Sequence, residues 1–287
     1  MCMIYILRMR ARNTMISIVS DASISLTEQE AQELNIRIVP MNYTVGGMAY
    51  LDTYADSIEG YTKIKMGKHT MSTSQPSVES FKSVFSEELD LGHQVLCFCI
   101  SSRLSGTFYS AQMAAKELSP QNVKVIDTLH ATASVLFLVL ESKRLIQEGK
   151  SLEEIYVILE KKRFTVGTAF SVENLEPLKK SGRLSLLRQS VSTILNLRPI
   201  LEFKKGILSS TAYTKGKKNQ LAKLLDRVPK EAKSITIERL GNETSAKELA
   251  ELVKTKYPHI NEVPIKEVGA IFAIHLGIPS IGIAWEE

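Results

Sequence analysis

At residue 101 an uninterrupted apolar run, Val95-Leu96-Cys97-Phe98-Cys99-Ile100, gives way to Ser101-Ser102-Arg103-Leu104-Ser105-Gly106-Thr107, and then to Ala111-Gln112-Met113-Ala114-Ala115. That order predicts a strand, a hydroxyl-rich turn and a helix. It recurs on both sides. Ile16-Ser17-Ile18-Val19 runs into Ser20-Asp21-Ala22-Ser23, and Val123-Lys124-Val125-Ile126 ends at Asp127-Thr128, with helices predicted over 78–89 and 106–118. Repeated βα units demand a parallel sheet, so the chain is an α/β protein. Ligands of such sheets bind beyond the carboxyl ends of the strands. Ser20, Asp21, the 101–107 stretch, Asp127 and Thr128 all fall at such ends, so one polar edge is expected.

Other stretches add elements. Thr27-Glu28-Gln29-Glu30 has the spacing of a capping box, and Ile36-Arg37-Ile38-Val39 alternates as a strand before Pro40. The stretch around Gly46, Gly47 and Gly60 reads as irregular. Thr73-Ser74-Gln75-Pro76-Ser77 precedes the helix from Val78. The apolar run from Ala131 to Leu140 is far shorter than the ~20 residues of a membrane span and reads as a buried helix. From Phe164 the texture changes. Helices are predicted over 175–180 and 184–197 around the turn Ser181-Gly182-Arg183. A hairpin, 199–203 with 207–210, turns at Lys204-Lys205-Gly206. A strand over 234–238, a helix over 245–256, and strands over 268–274 and 281–285 complete the chain. Its 287 residues suit two domains with separate cores, divided here into 15–163 and 164–287.

Composition excludes several functions. Apolar residues make up 44% and charged residues 23%, the balance of an ordinary globular chain. The net charge of +5 is dispersed, and its densest cluster, Lys215-Gly216-Lys217-Lys218, has one aromatic neighbour, so nucleic acid is not an expected partner. The first twelve residues place arginines after apolar residues, the reverse of a signal peptide. Residues 1–14 read as an upstream extension, with Met15 as the original start. The cysteine count of 3 is odd, and Cys97 and Cys99 share one face of a strand, so they read as core in a reducing cytoplasm. No metal is expected, since paired ligand spacings are missing.

The candidate chemistry narrows in the same way. G-x-x-x-x-G-K-[ST] and G-x-G-x-x-G are both absent. Ser105 sits where an elbow nucleophile would, but Arg103 and Thr107 replace the glycines of G-x-S-x-G. A serine hydrolase or acyltransferase using Ser105 is therefore the alternative, not the first reading. What remains is a set of neutral hydroxyls, Thr73, Ser74, Ser101, Ser102, Ser105 and Thr107, placed at the starts of two helices. Hydroxyls and free helix N–H groups accept an anion without a full counter-charge; alternatively each is an N-cap. Arg183 and His275 stand in turn-like contexts, with His275 expected just after a strand.

Val19-Ser20-Asp21, Val39-Pro40, Tyr50-x-Asp52, the T-S-Q-P-S and L-S-G-T segments, Ile126-Asp127, Leu178 to Arg183 and His275-x-Gly277 occur in this order. Together they resemble the DegV family from Met15 to the end. The resemblance implies two α/β domains, an N-terminal one with a parallel sheet and a C-terminal one with a mixed sheet. It also implies a buried tunnel for a long-chain fatty acid, no other cofactor, and no catalysis by this chain alone. Its partner would be the ATP-binding subunit of a bacterial fatty acid kinase, in the cytoplasm, with at most transient membrane contact. Thr73 and Ser105 would hold the carboxylate. Ser74, Ser102, Thr107, Ser20, Asp21, Asp127 and Thr128 would support that polar site, and Arg183 and His275 would face the head group or the kinase. Departures from the family pattern are Ser181 for glycine, Thr128 for serine, and His275-Leu276-Gly277-Ile278-Pro279 for H-x-G-P-G.

Overall fold

The computed structural model describes residues 15–57, 61–183 and 197–287. Strand β1 (Ile16–Asp21), helix α1 (Glu28–Glu33) and strand β2 (Ile36–Val39) open it. The predicted capping box is formed: the Thr27 hydroxyl accepts the Glu30 N–H at 3.2 Å, and Glu30 accepts the Thr27 N–H at 3.0 Å. Next come β3 (Met41–Val45), β4 (Met48–Asp52), α2 (Tyr61–Met66), β5 (Met71–Ser74), α3 (Val78–Asp90), β6 (Gln94–Cys99), α4 (Thr107–Leu118) and β7 (Val123–Asp127). The first sheet is parallel, in the order β2-β1-β6-β7. Alternate residues of β6 enter two cores. Val95, Cys97 and Cys99 pack under α3 and α4, whereas Leu96 and Phe98 face α5 (Ala133–Gln147) and α6 (Leu152–Lys162). A strand apolar on every residue is what burial on both faces requires.

The remaining elements are β8 (Val166–Val172), α7 (Glu176–Lys180), β9 (Arg198–Lys204), β10 (Ile207–Thr214), α8 (Lys217–Leu225), β11 (Ser234–Leu240), α9 (Glu243–Lys256), β12 (Ile265–Glu267), α10 (Ala270–Leu276) and β13 (Ser280–Glu286). Their strands form a mixed sheet, β10-β9-β8-β13-β11-β12, in which only β11 and β12 are parallel. The hairpin turns at Lys204-Lys205-Gly206 as expected. Val166 and Ala284 of this sheet share a core with Ile18, Leu96 and the apolar face of α5. Helix α5 therefore lies between the two sheets.

Three expectations are overturned. Of the stretch expected to be irregular, the part around Gly46 and Gly47 is not, since β3 pairs antiparallel with β4 and β5, while Gly60 lies outside the described residues. Met41, Tyr43 and Val45 alternate inward, and both glycines take positive φ, as a two-residue hairpin turn needs. The segment 268–274 is not a strand. Residues 270–276 form α10, because a short apolar run has no period to separate a strand from a buried helix. Thr73 and Ser74 end β5 and do not start a helix; Ser77 is the N-cap of α3. Strand β8, buried at all seven residues, was not foreseen. The helix expected over 184–197 falls on 184–196, outside the described residues, as do residues 1–14.

Candidate functional site

A cavity opens where β5, the loop after β6, α10 and the inner face of the mixed sheet meet. Met41, Ile100, Phe170, Phe203, Leu240 and Ile271 are among its apolar walls, and the space between its atoms, open solvent at the mouth included, is about 950 Å³. Of the residues singled out in the sequence, Thr73, Ser74, Ser105, Arg183 and His275 line it together. They come from four elements spread over more than two thirds of the chain.

Two of these motifs are physically locked. The Gln75 side chain packs against Gly106: a Cβ there would stand 2.0 Å from Gln75 Oε1. The Gln75 amide reaches past it to donate to Ser110 Oγ at 3.0 Å. The glycine is thus required by close approach, and the T-S-Q-P-S and L-S-G-T segments form one surface. Ser105 Oγ is 2.8 Å from the Thr107 hydroxyl and also accepts the Thr107 N–H at 3.4 Å.

His275 sits in the last turn of α10, with Nε2 3.0 Å from Thr73 Oγ1. Burial, with the nearby positive Arg183, pushes its pKa down to about 4, so the ring is neutral near pH 7. Its buried Nδ1 has no hydrogen-bond partner among the described residues. The helix is fixed at both ends. Asp52 Oδ2 accepts the Ile271 N–H at 3.0 Å, and burial pushes that carboxyl up to about 6. At the other end Gly277 has φ +76, and a Cβ would press Pro177 Cγ at 2.9 Å. That contact packs α10 on α7 and brings His275 toward Arg183, whose guanidinium donates to the Ser181 carbonyl at 2.7 Å.

The other predicted residues brace the loop instead of lining the cavity. Asp21 accepts the Ile100 N–H at 2.8 Å and the Ser23 N–H at 2.9 Å, and burial pushes it up to about 6. Ser20 donates to the Phe98 carbonyl at 3.2 Å. Asp127 accepts the Ser102 hydroxyl at 2.5 Å and the Ser102 N–H at 3.0 Å. Thr128 donates to the Cys99 carbonyl at 2.8 Å, and Ser101 donates to the Gly206 carbonyl of the β9–β10 turn at 2.7 Å. The end of β6 is thereby held on three sides, and Ser105 projects from it. Sequence reasoning quoted Gln75 and Asp52 in motifs but assigned them no role. It had no signal for Phe170, Phe203 or Glu238, which meet only in three dimensions.

Among the described residues no helix is long and apolar enough to cross a membrane, and no group of three or more His, Cys, Asp or Glu is arranged to hold a metal. Residues 15–287 match the family model described as "Uncharacterised protein, DegV family". A DegV domain-containing protein of Clostridium acetobutylicum is 29% identical, covering 95% of this chain and 98% of its own. A Thermus thermophilus DegV family protein, solved in a study of its fatty acid binding, is 32% identical with a TM-score of 0.84, covering 96% of this chain and 100% of its own. DegV of Bacillus subtilis, described as a fatty acid binding protein, is 25% identical with a TM-score of 0.84, covering 95% of this chain and 99% of its own. The chain belongs to the DegV family.

Proposed function

We propose that this protein binds a long-chain fatty acid in the cavity, with the carboxylate held by Thr73 and Ser105. The observation that carries the reading is an apolar cavity ending in neutral hydroxyls from two interlocked motifs. Each CH₂ taken from water contributes ~0.8 kcal/mol, so the alkyl chain supplies most of the affinity. The head group then needs recognition more than attraction. If His275 carries its proton on Nε2 it donates to Thr73, whose own hydroxyl is freed to point at the ligand. If the Thr107 hydroxyl donates in its bond to Ser105, it does the same there. Neither relay buries a fixed cation. Dividing the chain at 163/164 would put both hydroxyls in one domain, and Arg183 and His275 in the other.

The role of the chain is that of a non-catalytic carrier that presents the carboxylate to a separate ATP-dependent kinase subunit in the cytoplasm, with Arg183 and His275 at the approach. A hydrolase using Ser105 is disfavoured: the hydroxyl partner of Ser105 is Thr107, while His275 is engaged with Thr73. Mass spectrometry of lipid extracted from the purified protein tests the reading. Recovery of stoichiometric long-chain acid is expected. Folded protein that yields no acyl ligand and takes up no added fatty acid would refute it, and acyl phosphate formation with a kinase subunit tests the partner.

A further inference from the structure

The cavity has a second polar position, on the face of the mixed sheet. Glu238 of β11 is 6% exposed and lines the cavity. Its Oε1 accepts the Ala133 N–H at 2.7 Å, satisfying one of the free donors at the start of α5, where Thr132 supplies no side-chain cap. That bond accounts for one oxygen. The other, Oε2, faces Gly282, also in the cavity wall, where a Cβ would stand 3.5 Å away.

Most of the surrounding polar groups are committed elsewhere. The Thr132 hydroxyl is within hydrogen-bonding reach of the carboxyl and shares its one proton with the Ala131 carbonyl at 2.7 Å. Thr168 is bonded to Ser134 at 2.6 Å, and Ser280 donates to the Gly277 carbonyl at 2.7 Å. Lys266 pairs with Glu30 at 2.6 Å and Arg239 with Glu267 at 2.9 Å. Burial pushes the Glu238 carboxyl up to about 7, so acid and carboxylate coexist near neutrality. A plain alkyl chain laid over it adds nothing to the one N–H and the shared hydroxyl that serve this buried carboxyl, and leaves it under-satisfied. A hydroxyl suits both forms, since it donates to the carboxylate and accepts from the acid.

We infer that the cavity takes acyl ligands that carry a hydroxyl on the chain, seated on Glu238: the ligand class is hydroxy fatty acids. The inference rests on the fatty acid reading and adds the chemistry of the chain. Isothermal titration of the delipidated full-length protein with octadecanoic acid and its hydroxy isomers, from mid-chain to the terminal carbon, tests it. One isomer should bind about tenfold tighter than the unsubstituted acid, as one hydrogen bond to a buried acid provides. The preference should persist in Glu238→Gln, whose amide still pairs with a hydroxyl, and vanish in Glu238→Leu. If the wild type binds octadecanoic acid but prefers no isomer, or if Glu238→Leu keeps the preference, the inference fails and fatty acid binding stands. If none of the acids binds, both fall. The wild-type comparison decides by itself should Glu238→Leu not fold.

Discussion

Replacing Asp52 by Asn removes a buried acid from beneath the helix that carries His275. Asp52 is 3% exposed at the end of β4, and its Oδ2 accepts the Ile271 N–H at 3.0 Å. Burial outweighs that bond and raises the carboxyl from 3.8 to about 6. The folded value lies above the unfolded one, so the fold is unpenalised while both states are protonated. As pH rises from about 4 to about 6, the unfolded chain releases its proton first and stability falls. At ~1.4 kcal/mol per unit, the two-unit shift amounts to up to about 3 kcal/mol. Asparagine cannot ionise and retains a carbonyl for Ile271. The stability difference between variant and wild type should therefore move toward the variant by about 2–3 kcal/mol between about pH 4 and about pH 7.5. Urea unfolding of both proteins across that range measures it. Asp21 and Glu238 titrate with the same sign, and His130 and His275 with the opposite one, but all four cancel in the comparison at fixed pH. A difference constant to within about 0.5 kcal/mol would overturn the argument.

His275→Gln should show the reverse slope. The folded imidazole is held at about 4, below its unfolded value, so its contribution is complete above pH ~6.5 and lost as pH falls toward ~4. The variant should gain on the wild type in acid, and an unchanged acid limb in urea titrations would refute the neutral buried ring. Gly106→Ala should swing the Gln75 side chain away and break its bond to Ser110, costing about 1 kcal/mol, a loss of a few degrees in thermal melting. Fatty acid affinity should fall with it, because Gln75 is part of the cavity wall. Thr73→Val and Ser105→Ala should each weaken fatty acid binding about tenfold, the worth of one hydrogen bond. Unchanged affinity of the double variant in isothermal titration would remove the carboxylate from this end of the cavity.

The parallel half of the fold was legible because its signals are local. Val95 to Ile100 is a short apolar run bounded by a hydroxyl turn and followed by a helix, which favours a buried strand, and Thr27 to Glu30 specify a helix start unaided. The antiparallel sheet β4-β3-β5 was missed where glycines were taken for disorder of pattern, although Met41, Tyr43 and Val45 alternate correctly around them. The seven residues of β8 have no alternation, because both faces are covered, and the same ambiguity made α10 look like a strand. The candidate site divides in the same way. Hydroxyls next to glycine and proline stand out in sequence, so Thr73 and Ser105 were singled out, and both line the cavity. Ser20, Asp21, Asp127 and Thr128 stand out equally, but their polar atoms are spent on Ile100, Phe98, Ser102 and Cys99. Sequence cannot tell a hydroxyl aimed at a ligand from one aimed at a neighbouring strand.

That distinction bears on how a carboxylate would be met here. A protonated His275 would place a cation directly behind Thr73, and such a buried pair would hold the acid tightly while taking up an oxygen lone pair needed for transfer. Two features of the cavity oppose that protonation: α10 is packed against α2, β5 and α7, and the positive Arg183 disfavours a second charge nearby. Under the proposed reading Arg183 therefore acts twice. It keeps the imidazole a neutral donor to Thr73, and it leaves one positive charge at the approach, where a transferred phosphoryl group would bring more negative charge than the carboxylate it replaces. Arg183→Gln should then raise the pKa of His275, which NMR titration of the imidazole can read directly. A value that does not rise would show that burial alone keeps the ring neutral and that Arg183 has no part in preparing the site.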